Sequence, residues 1–341
     1  MTLIGMLHHR ADPNKVKKAY AYAAAAKAEG VDFFYFTPGR VNIKQQKIIG
    51  KVYENGRWIE KEFPFPDVIY NASYPVSDKA EQIIDYLFER IPFTSHSIGD
   101  KISVYNRINK AKKFNQYLIP FYKLTDVQIF LNMINRYKKV IIKPLSGHQG
   151  GGVVLIEKYG SHYNMNAAEL QSSINEKQLI EWISHKIQEK DYLVQQFITS
   201  QTKSGHVFDF RLHVQKNGDG KWLITSIYPR IGRLGTITSN MGSGGYSTYL
   251  EIFLKTEFGD SWYDIQRYLE QFAITFSNHF DSLYGNKLDE LGIDVGIDEN
   301  QKLWLFEVNW RPGPPNIFNV ELDVAKNTIL YAKYLADRNK H

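Results

Sequence analysis

Residues 305–315 read LFEVNWRPGPP, and this stretch decides how the chain is built. It begins as an apolar strand and stops at Pro312-Gly313, which cannot continue one. Between these limits stand Glu307 and Asn309. Residues two apart on a strand share a face, so the carboxylate and the amide project together. The preceding run, GIDVGID at 292–298, supplies Asp294, and the two runs predict a hairpin turning at Glu299-Asn300. A tight turn there puts Asp294 opposite Leu305, diagonal to Glu307 and on its side. A slip of one residue reverses that face. Two carboxylates and an amide oxygen are hard ligands that suit Mg²⁺, which takes carboxylates, substrate phosphates and water. The alternative is a solvated sheet edge for Glu307 and a turn start for Asn309.

Upstream, KPLSGHQGGGVV at 143–154 places Lys143 at a strand end, followed by four glycines between Ser146 and Gly152. Such a loop brings backbone N–H groups to phosphate oxygens without side chains in the way. It joins two strands, whereas the Walker and dinucleotide-binding loops join a strand to a helix. A bare hairpin tip is the alternative, and His148 within it reads as a polar loop residue. Lys143 at its base and the acidic pair downstream favour phosphate binding.

The first part of the chain alternates strand and helix. LIGMLH (3–8) and VDFFYF (31–36) flank an alanine-rich helix that starts at Asp12-Pro13 and ends at Gly30. That spacing predicts a parallel βαβ unit. Residues 47–63 form a hairpin turning at Asn55-Gly56, and 67–72 a further buried strand. Helices follow near 77–90 and 100–115, the second rich in Lys and Arg. Beyond them the pattern is α+β, with strands at 140–145, 151–158 and 192–198, a helix near 176–189, and an antiparallel pair at 208–217 and 221–231. An amphipathic helix at 262–283 precedes the last hairpin, and another helix follows it.

The 341 residues hold no cysteine, which removes disulfide and thiolate chemistry and suits a reducing compartment. No run approaches the roughly 20 apolar residues of a membrane span, and the N-terminal apolar run is too short for a signal-peptide core. A cytoplasmic protein is expected. The net charge of +6 lacks any Lys/Arg block of the nucleic-acid kind, so a small anion such as a nucleotide phosphate is the better partner. The charge also serves solubility.

Taken in order, FPFPDVIYN (63–71), YLVQQFI (192–198), FDFRLHVQKNGDGKW (208–222), SN before GSGG (239–245) and LGIDVGIDENQKLWLFEVNWRPG (291–313) resemble the ATP-grasp superfamily, and within it the YheC/YheD-like, endospore coat-associated branch. The resemblance spans most of the chain. It implies an ATP-grasp fold of α/β and α+β parts, with a Rossmann-like domain at 1–97, a small subdomain with the Gly-rich flap at 98–195, and a Mg-binding subdomain at 196–341. The nucleotide is expected between the last two. By the same resemblance, Lys101 and Lys143 hold ATP phosphates, and Ser146, Gly147, Gln149, Gly150, Gly151, Gly152 and Val153 close over them. The strand Gln195-Gln196-Phe197-Ile198 presents backbone groups of Gln196 and Ile198 to adenine. Asp294, Glu307 and Asn309 bind one or two Mg²⁺ (or Mn²⁺). Arg211 reaches the γ-phosphate or acyl phosphate, and Asn240 sits near the reacting centre. Related chains carry a small residue where Trp310 stands, which reads here as core packing, with a lid over the pocket as the alternative.

The activity implied is an ADP-forming carboxylate–amine ligase working through an acyl phosphate. Its substrates are a small-molecule or peptide carboxylate and an amine, with no nucleic acid and no membrane partner. Arg211, Arg230, Arg233 and Arg311 are the candidates to read a substrate carboxylate bidentately. The resemblance also raises a homodimer and a place in the spore coat. Two rival readings are an ATP-binding coat protein without turnover and a kinase-like enzyme that stops at phosphorylation.

Overall fold

The structure, a computed structural model, describes the chain except residues 146–151, 168–169, 240–243, 314, 316–319 and 341. Three sheets follow one another along it.

The first holds β1 (Leu3–Leu7), β2 (Asp32–Phe36), β3 (Val41–Asn42), β4 (Lys47–Glu54), β5 (Arg57–Pro64) and β6 (Val68–Asn71). Its helices are α1 (Lys17–Ala28) and α2 (Asp78–Phe88). β1 pairs in parallel with β2 and β6. Runs such as LIGML are apolar on both sides because helices cover both faces of a parallel sheet. The hairpin turns at Asn55 and Gly56, both at positive φ (49° and 79°), as the Asn-Gly pair predicts. Asp12 caps only a short 3₁₀ turn, and the α-helix proper begins at Lys17.

α3 (Lys101–Ala111) follows the first unit, and the Asp100 side chain caps it by accepting from the Ser103 N–H; its Val104, Tyr105 and Ile108 pack into the core of the third sheet described below. After it come β7 (Phe121–Lys123), α4 (Val127–Tyr137), β8 (Lys139–Pro144), β9 (Val154–Tyr159), β10 (His162–Ala167), β11 (Leu170–Asn175), α5 (Glu176–Glu189) and β12 (Tyr192–Gln196). They form an antiparallel sheet in the order β11-β10-β9-β8-β12-β7. Phe130 and Met133 of α4 and Leu179 and Ile183 of α5 cover one face. The other face looks into the cleft described below.

The third sheet has the order β15-β14-β13-β16-β17. Its parts are β13 (Phe208–Lys216), β14 (Trp222–Ile231), β15 (Tyr246–Ser247), α6 (Leu250–Phe258), α7 (Trp262–Ser282), β16 (Glu290–Ile297) and β17 (Leu303–Asn309). Phe208, Phe210, Leu212 and Val214 of β13 and the odd-numbered residues of β16 are apolar. They pack on Leu269, Phe272, Phe276 and Phe280 of α7. α8 (Glu321–Asn339) closes the chain. Chain order groups it with the third sheet, but Ala325, Ile329, Ala332 and Ala336 pack against Ala19, Tyr22, Ala25 and Ala26 of α1. Small side chains on both helices let the two backbones approach, which joins the C-terminus to the first unit.

The β16–β17 hairpin corrects one expectation. Asp294 faces Glu307, and Leu305 faces Val295 instead. The turn is one residue longer than the sequence suggested, because Gln301 at φ 60° is part of it and Lys302 closes it onto Asp298. That slip alone would send Glu307 to the wrong face. A β-bulge at Phe306 adds one residue to β17 and restores it. The bulge is held from both sides. The Tyr105 hydroxyl of α3 donates to the Phe306 carbonyl. The Phe306 ring lies over Gly296, where any Cβ would collide with it.

Candidate functional site

The third sheet has a second face, and it is charged. β13 alternates Phe208, Phe210 and Leu212 with Asp209, Arg211 and His213, so the register that buries the first set turns the second outward. Arg211 pairs with Asp294 across the sheet, Asp209 with Arg230, and Asn309 stands opposite Gly292. Gly292 leaves room for this crowding, since a Cβ there would meet Pro312 at 2.7 Å and the Arg211 guanidinium at 2.9 Å.

Opposite this face stands the second sheet, and a cleft of about 380 Å³ lies between them. That volume is in the range of small-ligand sites. Lys143 from β8 and Gln195 and Gln196 from β12 line one wall, with Phe197, Ile198 and Val153. Lys101, Arg211, Arg230, Asp294, Glu307 and Asn309 line the other parts. The expected phosphate, adenine-edge and metal residues therefore converge on one space.

The ion pairs within it are specific. The Arg211 Nη2 donates to Asp294 Oδ2 at 3.1 Å, and its Nε donates to Oδ1. Arg230 is bidentate to Asp209, at 2.7 and 2.6 Å, and also reaches Asp294 Oδ2 at 3.0 Å. Lys101 lies 3.5 Å from Glu307. Burial pushes the Asp294 carboxyl up, but Arg211 and Arg230 outweigh it and hold the pKa below the usual aspartate value. Lys143 differs from these cations. Among the described residues it has no carboxylate within ion-pair distance, and its ammonium sits 5.6 Å from the centre of the Tyr105 ring. Burial lowers its pKa, and Glu307 acts in the opposite sense.

Asp294, Glu307 and Asn309 are the donors a metal would find. Among the described residues no group of three or more His, Asp or Glu side chains is arranged to hold a cation. Two carboxylates and an amide fit an ion that completes its shell with phosphate and water, as Mg²⁺ does, better than a full protein cage.

Some expected residues fall elsewhere. Ser146, Gly147, His148, Gln149, Gly150, Gly151 and Asn240 lie outside the described residues. Gly152 is described, at φ +76° beside Pro144, a conformation that favours glycine. Arg311 turns away from the cleft and donates to the Ser73 carbonyl. Arg233 is exposed and donates to the Gly244 carbonyl at 3.2 Å. Trp310 packs against the core of the third sheet with Arg311 stacked on it at 4.0 Å, the packing role expected. Sequence reasoning missed Asp209 and Tyr105. Asp209 was findable, two residues before Arg211 on the same face. Tyr105 was not, because only the tertiary fold brings α3 to the bulge.

Comparison with known proteins places the chain among relatives of one family. Residues 90–335 match the family described as YheC/D like ATP-grasp. The chain is 28% identical over 327 residues to the endospore coat-associated protein YheD of Bacillus subtilis, covering 89% of this chain and 71% of that one. It is 24% identical over 319 residues to YheC of the same organism, covering 87% and 85%. Among solved structures, N5-carboxyaminoimidazole synthetase from Staphylococcus aureus complexed with ADP shares the fold, with a TM-score of 0.54 at 13% identity, covering 96% of this chain and 77% of that one. No helix among the described residues is long and apolar enough to cross a membrane.

Proposed function

The chain belongs to the YheC/D-like ATP-grasp family, and from that premise we propose that it is an ATP-dependent ligase. It joins a carboxylate to an amine or related nucleophile through an acyl phosphate and releases ADP and phosphate. The observation that supports this most is the convergence of Lys101, Lys143, Arg211 and Arg230 with Asp294, Glu307 and Asn309 on one cleft.

Phosphoryl transfer asks a protein chiefly for in-line positioning and for neutralisation of the phosphoryl oxygens. Lys143, which has no carboxylate partner among the described residues, is the cation that gains most from a phosphate. Lys101 exchanges its contact with Glu307 for a second phosphate contact. Arg211 and Arg230 are held in place by Asp294 and Asp209, so they face the reacting groups already oriented. The backbone of Gln196 and Ile198 offers an edge to adenine, and binding of ADP by the Staphylococcus synthetase supports a nucleotide here. Mg²⁺ held by Asp294, Glu307 and Asn309 would neutralise phosphate charge and orient the transferred group. The names of YheD and YheC support association with the endospore coat.

The test is incubation with Mg-ATP and a pool of amino acids, short peptides and metabolites, following nucleotides and new masses together. ADP with a condensed mass, and a hydroxamate when hydroxylamine is added, is the expected result. ADP with a phosphorylated metabolite and no hydroxamate would mean a kinase-like reaction. Mg-ATP that raises the melting temperature without any turnover would support the coat-protein reading that the relatives' names favour.

A further inference from the structure

The carboxyl ends of β1 and β6 meet the loop after β17 at a place the mechanism does not use. In sheets with parallel strands this edge is where ligands bind. His8 and His9 leave β1 with rings stacked at 4.3 Å, and His9 packs on Tyr74 at 4.6 Å. Arg311 enters from the loop after β17, held by the Ser73 carbonyl and the Trp310 ring. From α1, the Lys18 ammonium lies 6.0 Å from the centre of the Tyr70 ring.

Lys18 and Arg311 bring positive charge to this edge. Neither Lys18 nor Arg311 pairs with a carboxylate among the described residues. The two carboxylates that bear on them are engaged elsewhere: Glu290 by His213 at 2.7 Å, and Asp289 by the Ser95 N–H and hydroxyl, both at 2.9 Å. The His9 Nδ1 is buried and has no partner among the described residues. Burial, then His9, Lys18, Arg10 and Arg311, push the His8 pKa down to about 4. Half-buried cations that face each other without a counter-charge are unfavourable, so they point to a ligand that supplies one.

The position is equally informative. Arg311 lies two residues beyond Asn309, and Pro312 packs on Gly292 beside the Arg211 guanidinium. The cationic cluster therefore adjoins the end of the cleft where Arg211 stands. We propose that Lys18, His9 and Arg311 form a second anion site, which holds a carboxylate or phosphate of the substrate remote from the carboxylate that is activated. This rests on the ligase reading and narrows it: the acid carries a second negative charge, as an acidic peptide end does.

The full chain is titrated with N-acetylglutamate, N-acetylglutamine and N-acetyl-O-phosphoserine by calorimetry, with and without Mg·AMP-PNP. The expected result is about tenfold tighter binding of a probe with the extra charge than of N-acetylglutamine. Whether N-acetylglutamate or the phosphoserine derivative binds tighter identifies the anion. The preference should disappear in Lys18→Met and His9→Gln and return in Lys18→Arg, which separates charge recognition from misfolding. Equal binding of all three probes, no binding of any, or a preference that survives both variants overturns the proposal. The AMP-PNP shift in melting temperature is read in the same samples. Its absence would count against the ligase reading and leave the anion preference measurable.

Discussion

The two faces of the third sheet share one backbone and differ in almost everything else. On one, Phe210, Leu212, Ile293 and Val295 are fully buried against α7. On the other, Asp209, Arg211, Arg230 and Asp294 are also largely buried, but as compensated ion pairs around a cleft. Two aspartates five residues apart on this chain show the contrast. Asp294 faces two arginines, which hold its carboxyl down. Asp289, at the margin of the apolar face, has hydrogen bonds from Ser95 but no ion pair among the described residues, and burial, with Glu290 beside it, raises it to about 7. The apolar face stabilises by removing surface from water. The charged face spends stability to keep groups in place, since a buried ion pair seldom exceeds its own desolvation cost.

The sharpest way to break this comparison is to damage one face and read the other. Phe276→Ala should cost about 3–5 kcal/mol of stability while the protein that remains folded forms ADP at the normal rate. Chemical denaturation beside a per-folded-molecule assay decides it, and lost activity in well-folded protein would mean the faces are not independent.

Next come the two aspartates and pH. A carboxyl raised from 3.8 to about 7 binds its proton more tightly when folded, so stability falls as pH rises between those values. The separation corresponds to ~4 kcal/mol at most. Asp289→Asn should therefore melt higher than wild type at pH 8, with the gain gone near pH 4. Asp294 has the opposite sign, because its folded pKa is depressed. Its contribution is present above the ordinary aspartate pKa and is lost as pH falls through the folded value. A gain from Asp289→Asn that does not change with pH would remove the first half of the contrast.

Glu307→Gln addresses the charged face alone. ADP formation should fall about 100-fold or more, equivalent to ~2.7 kcal/mol, with stability changed by less than about 1 kcal/mol because this carboxylate is partly exposed. Full activity in a folded variant would remove Glu307 from the site. The smallest effect is expected from Tyr105→Phe. It leaves the bulge carbonyl without its donor, at a cost of about 1–2 kcal/mol, and should slow ADP formation about tenfold through displacement of Glu307. A change in stability with no change in rate would show that the bulge does not position the carboxylate.

Much of this was legible in the sequence. The parallel unit follows from doubly apolar strands around an alanine helix, and the Asn55-Gly56 turn from its own chemistry. The charged face of β13 is written as the alternation in FDFRLH. Lys101, Lys143, Arg211, Asp294, Glu307 and Asn309, singled out as candidates from the sequence, line one cleft. Arg311 was also singled out, but it answers to Ser73, which lies 238 residues away. No local pattern encodes that contact, nor the return of α8 to α1.

The residue types on each strand face, and so the existence of one apolar and one charged side, were determined by the sequence alone. Side-chain alternation is a property of the extended backbone and needs no tertiary information. Which carboxylate faces which was decided only in three dimensions. The hairpin turn slips the register by one, and the bulge at Phe306 shifts it by one more, which returns Glu307 to the face of Asp294. That bulge persists because a hydroxyl 201 residues away satisfies its carbonyl and a glycine on the neighbouring strand accepts its ring. A backbone irregularity of this kind leaves an unpaired polar group, so it survives only where the folded chain supplies the partner.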